Sequence, residues 1–167
     1  MNIVLIGYRG VGKSAVAKLL GERLPGWGVV STDAEIVARA KSPIPDIVKE
    51  FGWEHFRDLE SAVCREVAAR DRQIIDTGGG AILRPENVEA LKRNGRLFWL
   101  TAEVPTIHLR IGGDTQRPSL TGTKTFLEEI AEVLESRRPR YQAAADTIIP
   151  TDNQTLTWIC DRIQQGL

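Results

Sequence analysis

Near its start the chain reads Gly7-Tyr8-Arg9-Gly10-Val11-Gly12-Lys13-Ser14, which satisfies G-x-x-x-x-G-K-[ST] at every fixed position. No other feature limits the possible folds so tightly. Asn2–Ile6 before it is a short apolar run that reads as a buried strand. Lys13–Leu24 after it carries Val16, Leu19, Leu20 and Leu24 on one helical face. A glycine-rich turn between strand and helix gathers backbone N–H groups around phosphate oxygens, and the helix adds its N-terminal dipole. Gly10, Val11, Gly12, Lys13, Ser14 and Ala15 are the expected nucleotide contacts. Lys13 is placed to reach the β- and γ-phosphates of ATP, and Ser14 to ligate Mg²⁺. The glycine spacing runs opposite to that of a dinucleotide fingerprint, which disfavours Rossmann-type binding.

Strand-length apolar runs alternate with helix-period segments along the rest of the chain. Gly28–Ser31, Gln73–Asp76, Leu97–Leu100 and Thr147–Ile149 are predicted strands. Helices are predicted over Asp33–Lys41, Trp53–Arg70, Pro85–Asn94, Val104–Ile111, Phe126–Ala145 and Gln154–Gln165. Pro45 is suited to open a short helix before Trp53. The run Arg137-Arg138-Pro139-Arg140-Tyr141 is expected to interrupt the long helix that contains it, since proline lacks an N–H. Parallel strands need crossovers, so the pattern predicts an α/β fold, a parallel sheet with helices on both faces. Gly112–Thr125, rich in Gly, Thr, Pro and Ser, is the one long irregular stretch and is expected to be a lid, with Gly112-Gly113 as helix stop or hinge. The length, 167 residues, fits a single domain spanning 1–167.

Charge narrows the function. Twenty-two basic residues balance twenty-two acidic ones, which removes the broad positive field of a nucleic-acid binder. No run approaches the ~18 apolar residues of a membrane span, and no basic leader precedes Asn2-Ile3-Val4, so neither membrane nor export is expected. Cys64 and Cys160 lie far apart with no metal or redox spacing, as reduced thiols of a cytoplasmic protein would. A GTPase would need Asn-Lys-x-Asp, which is absent, and there is no room for the extra modules of motor ATPases. A small-molecule kinase working as a monomer is the expectation that remains.

Several features mark the acceptor side. Asp33 follows the second strand, at the sheet edge where open α/β folds bind ligands. Arg57 and Glu60 lie three apart on one helix face, and Gly78-Gly79-Gly80 allows close backbone approach after the third strand. Arg117-Pro118-Ser119-Leu120 lies in the expected lid. Together with the phosphate loop, Phe56-Arg57-x-x-Glu60, Thr77-Gly78-Gly79-Gly80 and Arg137-x-Pro139-x-Tyr141, this ordered set resembles the shikimate kinase family over nearly the whole chain. The resemblance implies a three-layer P-loop kinase fold with a five-stranded sheet in order 2-3-1-4-5. It also implies a substrate-binding insertion, about residues 33–60, and a lid at about 112–125. It implies ATP- and Mg²⁺-dependent phosphorylation of the 3-hydroxyl of shikimate. By position, Arg57 and Arg137 would hold the shikimate carboxylate, Glu60 would brace Arg57, and Asp33 with Gly78, Gly79 and Gly80 would hold the ring hydroxyls. Arg117 would close onto the transferring phosphate, Arg110 would face adenine, and Asn153 would lie in the adenine loop.

At one point the chain departs from that family. The family has Asp-x-Asp after the second strand, whereas this chain has Ser31-Thr32-Asp33; it carries instead an Asp76 directly before the glycine triplet. Either Asp76 supplies the missing carboxylate to the Mg²⁺ water shell or it caps the glycine turn. The rival functions are a kinase of another small hydroxy acid such as gluconate, and a binding homologue weakened in catalysis.

Overall fold

The structure is a computed structural model and describes residues 1–112 and 126–167. Strands β1 (Asn2–Ile6), β2 (Gly28–Ser31), β3 (Gln73–Asp76), β4 (Gly95–Thr101) and β5 (Thr147–Pro150) form one sheet in the order β2-β3-β1-β4-β5. Every pairing is parallel. The helices are α1 (Lys13–Arg23), α2 (Thr32–Ala40), α3 (Ile44–Ala68), α4 (Pro85–Arg93), α5 (Val104–Ile111), α6 (Phe126–Ala144) and α7 (Leu156–Gln165).

Central β1 is buried along its whole length, and its alternating side chains feed two cores. Ile3 and Leu5 pack with Val16, Leu20, Ile107, Ile130 and Ile159 on one face. Val4 and Ile6 pack with Ile36, Val63, Val67, Leu91 and Tyr141 on the other. A strand buried on both faces must be apolar throughout, which is why Asn2–Ile6 stood out in the sequence. The predicted β1, β2 and β3 match residue for residue, whereas β4 extends beyond Leu97–Leu100 at both ends because Gly95 and Arg96 pair with Asn2 and Ile3.

One helix follows expectation and another departs from it. The predicted break after Lys41 and the short helix opened by Pro45 are both present, since α3 begins at Ile44 with Pro45 in its first turn. It bends at Gly52, directly before the predicted start of the longer helix at Trp53; the Gly52 φ of 87° is non-helical and open to glycine at little cost. The expected interruption at Arg137–Tyr141 does not occur: α6 runs through Pro139. A mid-helix proline costs about 3 kcal/mol. Packing just beyond it compensates, since the buried Tyr141 ring stacks on Trp99 with centroids 5.4 Å apart. Its hydroxyl also donates to the Gly79 carbonyl.

Candidate active site

The carboxyl ends of β1, β2 and β3 lie side by side, and the three segments that leave them build the site. After β1, residues 7–12 loop into α1. Gly12 caps that helix with φ 102°, a left-handed conformation that lets the first helical amides face the loop. No acidic residue occupies the first turn of α1 to compete for those amides. Lys13 is buried, and its Nζ donates to the carbonyls of Gly7 at 2.7 Å and Tyr8 at 3.1 Å. One cleft is lined by Gly10, Gly12, Lys13, Ser14 and Ala15 together with Ser31, Asp33, Asp76, Thr77 and Arg110. Val11 lies beneath it in the core.

A second cleft, lined by Asp33, Arg57, Glu60, Gly78–Gly80 and Arg137, adjoins the first. Glu60 is fully buried and accepts from Arg57 Nη1 at 2.9 Å, as their spacing predicted. Its other oxygen takes no hydrogen bond among the described residues. Burial pushes the Glu60 carboxyl above its ordinary value; Arg57 pulls it back, nearby Asp33 adds to the rise and Arg137 opposes it. The Arg57 guanidinium also lies 5.3 Å from the Trp53 and Phe56 ring centroids, a cation–π clamp on its far side. Arg137 is buried and faces Gly79. Arg9, Arg57 and Arg137 thus outnumber Asp33 and Glu60 in this cleft, so its fixed charge favours an anionic ligand.

The glycine triplet is shaped by these neighbours. A Cβ on Gly78 would meet Asp33 Oδ1 at 2.7 Å and Glu60 Oε2 at 2.8 Å, and one on Gly80 would overlap the Arg57 guanidinium. Gly80→Ala should therefore fold, because a flexible side chain can retreat, but it should displace Arg57 and raise the acceptor KM by about tenfold with kcat little changed. Steady-state kinetics check this; an unchanged KM would detach Arg57 from acceptor binding.

Arg110 donates to the Gly10 carbonyl at 3.1 Å and to Thr151 Oγ1 at 3.2 Å, linking the phosphate loop to the segment after β5. Asn153 sits on that segment, exposed, with φ 56°. Arg117 and residues 113–125 of the expected lid lie outside the described residues; Gly112 ends α5. Sequence reasoning missed Tyr8, Arg9, Ile44 and Trp53 as lining residues of the acceptor cleft. Tyr8 and Arg9 occupy unconstrained positions of the phosphate-loop motif, so their types carried no signal. Trp53 stood four residues before Arg57, one helical turn, which was the available clue.

Asp33 and Arg9 line both clefts, so the two ligand spaces share a wall. With the phosphate loop and the sheet order, this arrangement defines a P-loop kinase.

Comparison with known proteins narrows the class. The family model for shikimate kinase matches residues 9–167. The shikimate kinase of Symbiobacterium thermophilum is 43% identical over 169 residues, covering 100% of this chain and 96% of that protein. That of Dehalococcoides mccartyi (strain ATCC BAA-2266) is 40% identical over 99% of this chain and 93% of its own. Among solved structures, a shikimate kinase from Acinetobacter baumannii in complex with shikimate superposes with a TM-score of 0.92 at 32% identity, over 98% of this chain and 90% of that one. A gluconokinase from Sinorhizobium meliloti, at 18% identity and TM-score 0.64, shares the fold alone. The chain belongs to the shikimate kinase family.

Proposed function

We propose that the chain transfers the γ-phosphate of ATP to the 3-hydroxyl of shikimate, yielding ADP and shikimate 3-phosphate on the route to chorismate and the aromatic amino acids. The observation that carries this reading is the shared wall: Asp33 borders both the phosphate-loop cleft and the arginine-rich cleft. Phosphoryl transfer needs acceptor oxygen and γ-phosphate in line, and most of its catalysis is positioning and charge stabilisation.

The residues fit the two groups the family implies. Amides from Gly10 to Ala15 and the N-terminus of α1 suit the phosphates of ATP. Ser14 and Asp76, both hard oxygen donors and in direct contact, suit Mg²⁺. When bound, Mg²⁺ and ATP supply the transferable phosphoryl group and neutralise part of its charge. Lys13 carries positive charge beside the loop, where it stabilises the developing negative charge. Arg57 and Arg137 hold the shikimate carboxylate through their planar forks, with Glu60 fixing the orientation of Arg57. Asp33, which borders both clefts, orients the attacking hydroxyl and serves as the carboxylate to take its proton, while the backbone of Gly78–Gly80 approaches the ring. Arg117 completes the charge on the transferring group, Arg110 faces adenine, and Asn153 contributes to the adenine loop.

The reading extends to one domain over 1–167, with residues 33–60 serving the acceptor and 112–125 the lid, acting as a cytoplasmic monomer. Its support is that one chain supplies both clefts and that its net charge is zero, which suits neither nucleic acid nor an anionic membrane surface. No helix among the described residues is long and apolar enough to cross a membrane.

ADP release from ATP and Mg²⁺ should depend saturably on shikimate, with gluconate giving no more than background. Equal turnover with gluconate, or none with shikimate, would overturn the assignment.

A further inference from the structure

We infer that Asp76 supplies, from the end of β3, the carboxylate that holds the Mg²⁺ water shell, a charge that residue 31 at the end of β2 does not carry in this chain. The inference rests on residues 10–15 being the nucleotide site, and not on which acceptor is used.

Register makes the exchange possible. β2 and β3 pair in parallel with Ser31 directly opposite Asp76, so a carboxylate at either position reaches the same space beside the phosphate loop. Ser14, Ser31 and Asp76 line the same cleft. Of the two strand-end residues only Asp76 engages the metal-binding hydroxyl: Ser14 Oγ donates to Asp76 Oδ2 at 2.6 Å. The bond leaves the lone pairs of Ser14 Oγ for a cation, and it puts Asp76 one hydrogen bond from a cation's first ligand. Mg²⁺ binds at 2.0–2.1 Å and keeps most of its waters, so a carboxylate at that remove accepts from those waters.

Ser31 has another task. Its Oγ accepts from Ala34 N at 3.2 Å and caps α2. The competing role for Asp76, capping the glycine turn, would use the amide two residues on. That amide, Gly78 N, donates instead to Thr32 Oγ1 at 2.9 Å, and Thr77 N donates to Leu5 O at 3.2 Å. The turn is thus held from β1 and α2.

The test measures metal binding apart from turnover. Mn²⁺ affinity in the presence of ADP is read by electron paramagnetic resonance, and ADP affinity without metal by calorimetry. In Asp76→Asn the Mn²⁺ affinity should fall about 10- to 100-fold, the usual effect of losing a partner of a metal ligand, while metal-free ADP affinity holds. Ser31→Asp added to Asp76→Asn should recover most of it, and aspartate at 31 still caps α2. Unchanged Mn²⁺ affinity in Asp76→Asn overturns the inference. So does an equal loss of metal-free ADP affinity, which would mark a structural role, or a folded double variant that recovers nothing. Should Asp76→Asn not fold, Fe²⁺ with ADP and peroxide can be applied to the unaltered protein. Backbone cuts beside Asp76 as well as Ser14 support the assignment, and cuts at the phosphate loop alone refute it. Intact Mn²⁺ linkage without shikimate turnover would fail the acceptor assignment and leave this one standing.

Discussion

Lys13→Ala should lower kcat by on the order of 10³-fold while shikimate affinity stays within about twofold, because its charge acts on the transferring group and not on the acceptor. Trp53 lines the acceptor cleft, so its fluorescence reports shikimate binding in the same variant. The ammonium donates to two carbonyls of its own loop, Gly7 and Tyr8, which keeps a buried charge from being orphaned and holds it beside the phosphate position. Lys13→Arg should rescue little, because a planar guanidinium does not replace a compact ammonium there. A kcat above about a tenth of the parent in Lys13→Ala would remove this residue from the transfer step.

Arg57→Ala should have two separable effects. The first is on the acceptor: loss of a charge-assisted fork raises the shikimate KM by about 100-fold, near 3 kcal/mol, with a smaller change in kcat. The second is on the fold. Glu60 keeps its carboxyl in the interior with one oxygen on Arg57, and breaking such a pair from one side costs about 3–5 kcal/mol. The pH dependence identifies the cause. The Glu60 carboxyl is already held above its ordinary 4.5 by burial, against the pull of Arg57. A group raised in the fold contributes stability that is complete below its unfolded value and is lost as pH rises through its folded value. Removing Arg57 raises the folded value further, so the deficit of Arg57→Ala should be largest at high pH and shrink as pH falls toward the ordinary carboxylate range. Adding Glu60→Gln should flatten that slope. Denaturant unfolding across this range decides the matter; a deficit independent of pH would mean that Glu60 does not cause it.

Much of this site could be read before any coordinates existed, and for a definite reason. The phosphate loop is contiguous, its glycines are demanded by backbone geometry, and its flanking strand and helix announce themselves by period. Helical spacing put Arg57 and Glu60 on one face, the family resemblance implied that they pair, and the structure brings them to 2.9 Å. What local pattern could not supply was juxtaposition across the sheet. That Ser14 touches Asp76 follows from β1 and β3 being neighbours, a fact of topology. The unbroken helix through Pro139 escaped for a related reason. The proline preference there is overridden by tertiary packing, with the Tyr141 ring stacked on Trp99. Gly95 and Arg96 looked like a loop because their strand character comes from pairing with β1 and not from their own side chains.

The acceptor cleft has one more consequence, in thermodynamic linkage. Three guanidinium groups and two carboxylates converge there, so the unliganded protein keeps a surplus of like charge in a confined space. An acceptor carboxylate closes that balance, and it can do so only in the folded chain, where residues from the phosphate loop, α3 and α6 come together. Shikimate is then a folding ligand as well as a substrate: its binding draws the chain toward the native state by mass action. A cell that stops supplying the acceptor leaves this protein in its less stable form, so lifetime as well as activity would follow the flux through the reaction.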